Sequence, residues 1–327
     1  MPIVNLIDFF GSSAESSPVV HLLEQLGTYK RPALDEENER SYYDWLLIRR
    51  KGLELGFVDS EYHNAGPSFR WRTGDLILVQ LYFYAGFDDI APYTGELPFS
   101  LLWSDTQAQA RVKLAAHEAS RHSYRTDTWD VPALGGVPGY RLTVTYTDDC
   151  QRIDRIACRV MPAPFPHDLT LQPPSLQALA DALGQPPNAP TLATLWAGHL
   201  DHEAVRAARE DHSIDFTDTF GVTLGFAGKG KSMALQSVTL HQSRYRESVQ
   251  WLGELPYGLS FDDSPEQLFQ KIPQTPVQHE DSTLTGHAVW HLSDYTMHVL
   301  YSHMENRLLH VKLISPGTWK SVFDPSL

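Results

Sequence analysis

The stretch Gly95-Glu96-Leu97-Pro98-Phe99-Ser100-Leu101-Leu102-Trp103-Ser104-Asp105-Thr106 returns without a gap, 158 positions later. There it reads Gly253-Glu254-Leu255-Pro256-Tyr257-Gly258-Leu259-Ser260-Phe261-Asp262-Asp263-Ser264. Both copies run into the same helix start. Thr106-x-x-Gln109 and Ser264-x-x-Gln267 are capping boxes, the second with Pro265 at its first helical position. Leu114 and Ile272 then fall at equivalent apolar positions.

The match extends in both directions. Upstream, Gly52-Leu53-Glu54-Leu55-Gly56-Phe57 aligns with Gly221-Val222-Thr223-Leu224-Gly225-Phe226. Further upstream, Ser17 to Gly27 is predicted to be a short helix with a Ser cap, Pro18 at its start and Gly27 at its end. Ser175 to Gly184 repeats that design. Downstream, Trp129 and Trp290 precede the period-two segments Tyr140 to Tyr146 and Tyr295 to Tyr301. A last alternating strand follows each, Arg152 to Val160 and Arg307 to Ile314. Such self-similarity marks a duplication. Each half is predicted to run helix, two or three strands, capped helix, then two or three antiparallel strands. The fold class is therefore α+β, in two tandem modules at 1–165 and 172–327, each an antiparallel sheet packed with short helices. Met161-Pro162-Ala163-Pro164-Phe165-Pro166 and then Pro173-Pro174 form a stiff linker, which puts the boundary near residue 170. Glu61 to Thr73 is a loop insertion present only in the first copy.

The chain has 327 residues, 42% hydrophobic and 11% aromatic, enough to bury a sizeable core, and it carries a formal charge of -14. Residues 1–165 hold 22 acids and 16 bases, and residues 166–327 hold 18 and 10, so both halves are acidic. That balance argues against broad phosphate contacts with nucleic acid and against attachment to anionic lipid. It favours a basic partner. The N-terminal Met1 to Phe10 lacks a basic n-region and is interrupted by Asn5 and Asp8, and no apolar run reaches membrane-spanning length. Cys150 and Cys158 flank a predicted turn and form no CxxC pair, so two reduced thiols in a cytoplasmic protein are expected.

Several motifs invite chemistry. Gly225-Phe226-Ala227-Gly228-Lys229-Gly230-Lys231-Ser232 satisfies the phosphate-loop pattern. A phosphate loop must open a helix, whose N-terminal amides hold the phosphates. Here alternating Ser237 to Gln242 follows, in the place of the first-half strand Leu76 to Tyr84, so a hairpin loop is expected. Among the 15 histidines, His199-x-x-His202 with His212, and His117 with His122, are the tightest clusters. Neither has the spacing of a helical zinc pair. His287, His291, His298, His303 and His310 lie on predicted strands or their ends, as surface or half-buried residues. The pairs Asp88-Asp89, Asp148-Asp149 and Asp262-Asp263 sit beside predicted turns, where turn and cap chemistry accounts for them. No catalytic residue, cofactor or metal is expected. Trp103 and Trp129, matched by Phe261 and Trp290, are expected in the core. Trp71 has no counterpart and is a candidate surface anchor.

The sequence G-E-L-P-aromatic, a capped helix, a Trp-bearing segment and paired alternating strands resembles the small α+β modules of bacterial immunity proteins in polymorphic-toxin and type VI secretion systems. A looser similarity is to the tandem modules of β-lactamase-inhibitory proteins and to an outer-membrane assembly lipoprotein. The chain departs from both in lacking an export or lipidation signal and a disulfide framework. The resemblance implies a non-catalytic cytoplasmic protein that neutralises a cognate toxin, a basic nuclease effector, by occluding it with an acidic surface. A homodimer is a further expectation, with no nucleic-acid or membrane partner. Asp88, Asp89, Asp148 and Asp149 are the candidate inhibitory carboxylates, with Trp71 as anchor. Two rivals remain: an adaptor or chaperone that loads an effector, and a nucleotide-using enzyme working through Lys231 and Ser232.

Overall fold

The computed structural model describes residues 5–35, 37, 41–65, 73–117, 120–282 and 284–319. The chain divides into two compact units, Met1–Ala163 and Pro164–Leu327. In the first, helix α1 (Ser17–Gln25) precedes strands β1 (Tyr43–Ile48) and β2 (Leu53–Asp59), the single-turn helix α2 (Ser60–Asn64) and β3 (Leu76–Tyr84). Helix α3 (Gln107–Lys113) then leads to β4 (Ser120–His122), β5 (Thr126–Val131), β6 (Tyr140–Tyr146) and β7 (Ile153–Arg159). In the second, helices α4 (Leu176–Ala182), α5 (Pro190–Leu195) and α6 (His202–Asp211) precede β8 (Ser213–Phe216), β9 (Val222–Ala227) and β10 (Ala234–His241). Helix α7 (Pro265–Lys271) then leads to β11 (Gln278–Asp281), β12 (Thr285–His291), β13 (Thr296–Ser302) and β14 (Arg307–Ile314).

Each unit is one antiparallel seven-stranded sheet. The first has the order β1-β2-β3-β7-β6-β5-β4, and the second, read from β8, repeats it as β8-β9-β10-β14-β13-β12-β11. The register repeats as well. One row of paired residues crosses the first sheet as Ile48, Leu53, Phe83, Ile156, Val144, Asp127 and His122. The corresponding row crosses the second as Phe216, Val222, Leu240, Val311, Val299, Ala288 and His279. The central members of both rows are buried. A slip of one residue would turn each of them to the other face, so the apolar period fixes the register. The sheet has three strands before the capped helix and four after it, one more than the alternation in the second half of each module predicts. The added strands, β4 and β11, are short and polar and lie at an edge, so they carry no apolar period.

The G-E-L-P segments fold identically. Each puts its aromatic residue in the left-handed region, Phe99 and Tyr257 both at φ 56°. The carboxylate of Asp105 accepts the amide of Leu102 at 2.7 Å and the ammonium of Lys113 at 2.7 Å; Asp263 accepts the amide of Ser260 at 2.7 Å and Lys271 at 2.8 Å. Lys113 and Lys271 also donate to the carbonyls of Ser100 and Gly258, each at 2.9 Å. Both capping boxes form, worth about 1 kcal/mol each. Asp263 is thus a turn residue beside the capping box, whose cap is Ser264. Gly52 (φ 60°) and Gly221 (φ 71°) allow the chain after β3 and β10 to cross closely. A Cβ would stand 2.2 Å from the Ala91 carbonyl oxygen at the first and 2.6 Å from that of Val249 at the second.

Other expectations resolve as follows. Helix α1 starts after Ser16, whose hydroxyl donates to the Ser13 carbonyl at 2.6 Å and does not cap; Ser175 does cap α4, accepting the Ala178 amide at 3.2 Å. Trp129 and Trp290 are buried core residues, while Trp103 is partly buried and donates to the Tyr93 carbonyl at 2.9 Å. Cys150 lies in the β6–β7 turn and Cys158 is buried on β7, and both are free thiols. Residues 225–227 end β9, and residues 228–233 connect it to the antiparallel β10. Ser232 there donates to the Lys229 carbonyl at 2.9 Å and accepts the Lys229 amide, closing a hairpin loop rather than opening a long helix. No helix among the described residues is long and apolar enough to cross a membrane.

Candidate interaction site

Antiparallel pairing brings four turns of the first unit to one end of its sheet. Tyr84, at the end of β3, pairs with Arg155 near the start of β7, and Tyr146, at the end of β6, pairs with Ile153. The β1–β2 turn and the β4–β5 turn share that end, because Leu53 pairs with Phe83 and Thr126 with Thr145. Asp88-Asp89 and Asp148-Asp149 therefore gather on one edge although 60 residues separate them in sequence. Trp71, the expected anchor, lies outside the described residues.

The local chemistry accounts for each carboxylate. Phe87 and Ile90 exchange backbone hydrogen bonds of 3.1 and 2.9 Å, which puts Asp88-Asp89 at a tight tip with Asp88 left-handed (φ 47°). Asp89 pairs with Arg49 at 2.5 Å, and Asp148 pairs with Arg125 at 2.5 Å. The Thr147 hydroxyl, at 2.6 Å, and the Gln151 amide, at 3.1 Å, both donate to Asp149 and hold its carboxyl below the ordinary value. The turns 49–52, 85–90, 123–125 and 147–152 carry Arg49, Arg50, Lys51, Arg125 and Arg152 beside the four carboxylates in sequence, and of these Arg49 and Arg125 make the ion pairs. This end is of mixed sign, not acidic. The acidic excess of the unit lies elsewhere, because the sequence charge says nothing about which turns the sheet brings together.

Large exposed apolar side chains stand among these charges. Phe87 is 49% exposed and packs edge-on against Tyr84. Tyr124 is 75% exposed, with its hydroxyl donating to the Asp148 carbonyl at 2.7 Å. Leu102 is 57% exposed, one residue before Trp103, whose carbonyl accepts the Ile153 amide at 3.1 Å. None of these three was singled out in the sequence. Only the topology shows that they share an edge.

Two polar hubs, the first buried and the second half-exposed, were also not foreseen. In the first unit Asp127, fully buried, takes a bidentate contact from Arg111 (2.9 and 2.8 Å) and lies 2.9 Å from His122 Nδ1. Burial and the adjacent Asp127 push the Tyr146 phenol up. In the second, Asp281 contacts His279 Nε2 and His303 Nε2 at 3.0 Å each and accepts the Tyr301 hydroxyl at 2.6 Å. Burial raises the Asp281 carboxyl, but the hydrogen bonds from His303 and Tyr301 prevail and hold it at about 2. Tyr301 is raised by burial and then by Asp281. These groups bind α3 and the short edge strands to their sheets.

The late histidines are half-buried or exposed, as expected, but three of them join the buried His241 in a string. His287, His298, His310 and His241 lie in sequence across β12, β13, β14 and β10, with neighbouring ring centroids 5.3, 5.3 and 6.2 Å apart. His310 Nε2 and His298 Nδ1 approach to 3.3 Å, and His241 Nε2 lies 2.9 Å from the Thr223 hydroxyl. Their other ring atoms, Nδ1 of His241 and of His310, are buried without a hydrogen-bond partner. Burial, with Arg246 nearby, lowers His241 to about 4, and burial with His287 and Lys312 lowers His298 to about 4; His310 falls well below its ordinary value, first through burial. Of the clusters read from the sequence, His199 packs edge-on against Phe220 and His117 against Phe99. No group of three or more His, Cys, Asp or Glu among the described residues is arranged to hold a metal ion. Comparison of the chain with protein-family models, with curated proteins and with solved structures found no match.

Proposed function

We propose that the chain is a non-catalytic immunity protein that acts in the cytoplasm by binding and occluding a cognate toxin, a basic nuclease effector. The observation that carries this is the sheet end of the first unit, where exposed Phe87, Leu102 and Tyr124 are set among Arg49, Arg125 and four carboxylates. Aromatic residues and arginines supply most of the binding energy of protein interfaces, and paired charges around them set orientation and reject wrong partners. Such a surface offers a large protein more than it offers a small molecule. The net charge of -14 adds long-range attraction to a cationic partner.

Co-expression with the product of the adjacent gene tests the proposal. An inhibitor restores growth to cells making the toxin, and purified chain binds the toxin with a rate that falls as salt rises. A chain that binds the neighbouring product without restoring growth is an adaptor. Tyr124→Ala with Phe87→Ala should weaken binding by at least tenfold, as expected for two interface anchors. Unchanged affinity in that double variant removes this end of the sheet from the interface.

A further inference from the structure

Strand β1 is the outer strand of the first sheet, and its ladder fixes which peptide groups face outward. The Asp59 amide donates to the Tyr42 carbonyl at 3.0 Å, so residues 44, 46 and 48 bond β2, while Tyr43, Trp45 and Leu47 turn their N–H and C=O groups away. Asp44 closes part of this edge. Its carboxylate accepts the Trp45 amide at 2.8 Å and the Ala33 amide at 3.0 Å, and the Ser41 hydroxyl reaches the Tyr43 carbonyl at 3.3 Å. Among the described residues no hydrogen bond reaches the Trp45 carbonyl or either backbone group of Leu47 from outside the sheet.

A groove of about 650 Å³ runs along this open stretch, between Leu26–Lys30 and β1, and ends on Arg49, Arg50 and Lys51. Trp45 (37% exposed) and Tyr29 (81%) stand beside it. Arg49 is paired with Asp89, whereas Lys30, Arg50 and Lys51 are exposed with no ion-pair partner among the described residues. In the second unit a helix, α6, runs directly into β8, the counterpart of β1. The first unit has no described helix in that place. An open edge is a template for another strand, and proteins close or charge such edges unless they use them.

We propose that the β1 edge takes up an extended segment of a partner protein as an eighth strand, with carboxylates of that segment against Arg50, Lys51 and Lys30. Backbone groups of Trp45 and Leu47 would supply the pairing, and the cation cluster, unusual in so acidic a chain, would select the segment. This edge meets the turn tips discussed above only at the Arg49–Lys51 turn, and the inference does not depend on the inhibitor proposal.

The test is selection of peptides of about twelve residues from a random displayed library on the immobilised full chain. Enriched peptides should combine β-branched residues with two or more Asp or Glu. A synthetic copy should protect the Leu47 amide from hydrogen exchange. Arg50→Glu with Lys51→Glu, both exposed and outside the core, should weaken it by at least about tenfold, and Leu47→Pro should abolish it. Three results would overturn the proposal. One is the absence of enrichment; another is peptides whose binding ignores the double charge reversal. The third is self-association in sedimentation that Leu47→Pro removes, which would assign the edge to a second copy of the chain.

Discussion

Lowering the pH should loosen the second unit before the first. Three of its imidazoles, His241, His298 and His310, resist protonation when folded, because burial and then nearby cations such as Arg246 and Lys312 oppose it, while Asp215 acts the other way on His241. Unfolded, each histidine would titrate near its ordinary 6.5; folded, His241 and His298 titrate at about 4. The unfolded chain therefore binds more protons between these values. The stability contribution is complete above pH 6.5, falls as the pH drops towards 4, and levels off below it. A gap of this size is worth about 3 kcal/mol per imidazole, and about 6 kcal/mol for the two, comparable with the whole stability of a domain. Carboxylates titrate in a different window. Asp281, held at about 2, keeps its contribution until the pH falls below its ordinary 3.8.

Hydrogen exchange read by mass spectrometry, corrected for intrinsic rates, separates the units. Between pH 7 and pH 4.5, peptides from β10, β13 and β14 should lose protection while those from β6 and β7 keep theirs. His298→Phe keeps an aromatic ring stacked on Trp319, now 5.3 Å away, but cannot titrate. It should remove its own share of the pH dependence, about a third of that from His241, His298 and His310 together. If β13 and β14 stay protected at pH 4.5, or if the variant retains the full slope, burial does not govern these histidines.

Three further outcomes follow from particular contacts. Asp263→Ala removes the acceptor of both Lys271 and the Ser260 amide and should cost about 2–3 kcal/mol, read from the urea midpoint; Lys271→Met should cost less, since that side chain is partly exposed. Gly221→Ala must place a Cβ 2.6 Å from the Val249 carbonyl oxygen in a left-handed backbone, and should cost at least about 2 kcal/mol in thermal unfolding. Lys231→Ala should leave the melting temperature unchanged, and titration of the unaltered chain with ATP or GTP to millimolar concentration should show no saturable binding. Saturation lost in the variant would revive the nucleotide reading of the β9–β10 loop.

Much of the fold was legible because the repeat supplied two readings of each element. Thr106 and Ser264 announced their helices through an i, i+3 grammar that needs no tertiary context. The apolar–polar alternation of Tyr140 to Tyr146 announced a strand, though all seven of its residues are buried. β4 and β11 were not legible, since a three- or four-residue polar edge strand exists only because a neighbour offers it hydrogen bonds. Helices α5 and α6 lack a first-copy counterpart, so the duplication gave no guide to them. For the interaction site, the turn positions of Asp88, Asp89, Asp148 and Asp149 were readable, but their salt-bridge partners were not. Arg49 lies 40 residues from Asp89 and Arg125 lies 23 from Asp148. The same limit hid the imidazole string, in which four strands each contribute one histidine.

The two polar hubs fill one role from different positions. At His122 the row across the sheet continues to Asp127; at His279 it continues to Ala288, and the carboxylate comes from Asp281, two residues along the same strand and opposite Gly286. A Cβ at Gly286 would stand 2.1 Å from that carboxylate. A carboxylate at both places would set two like charges beside one tyrosine, and a carboxylate at neither would leave the Tyr301 hydroxyl without its acceptor. The two modules therefore cannot exchange this pair one residue at a time: Ala288→Asp alone is a step uphill, and only a joint change with Asp281 converts one solution into the other.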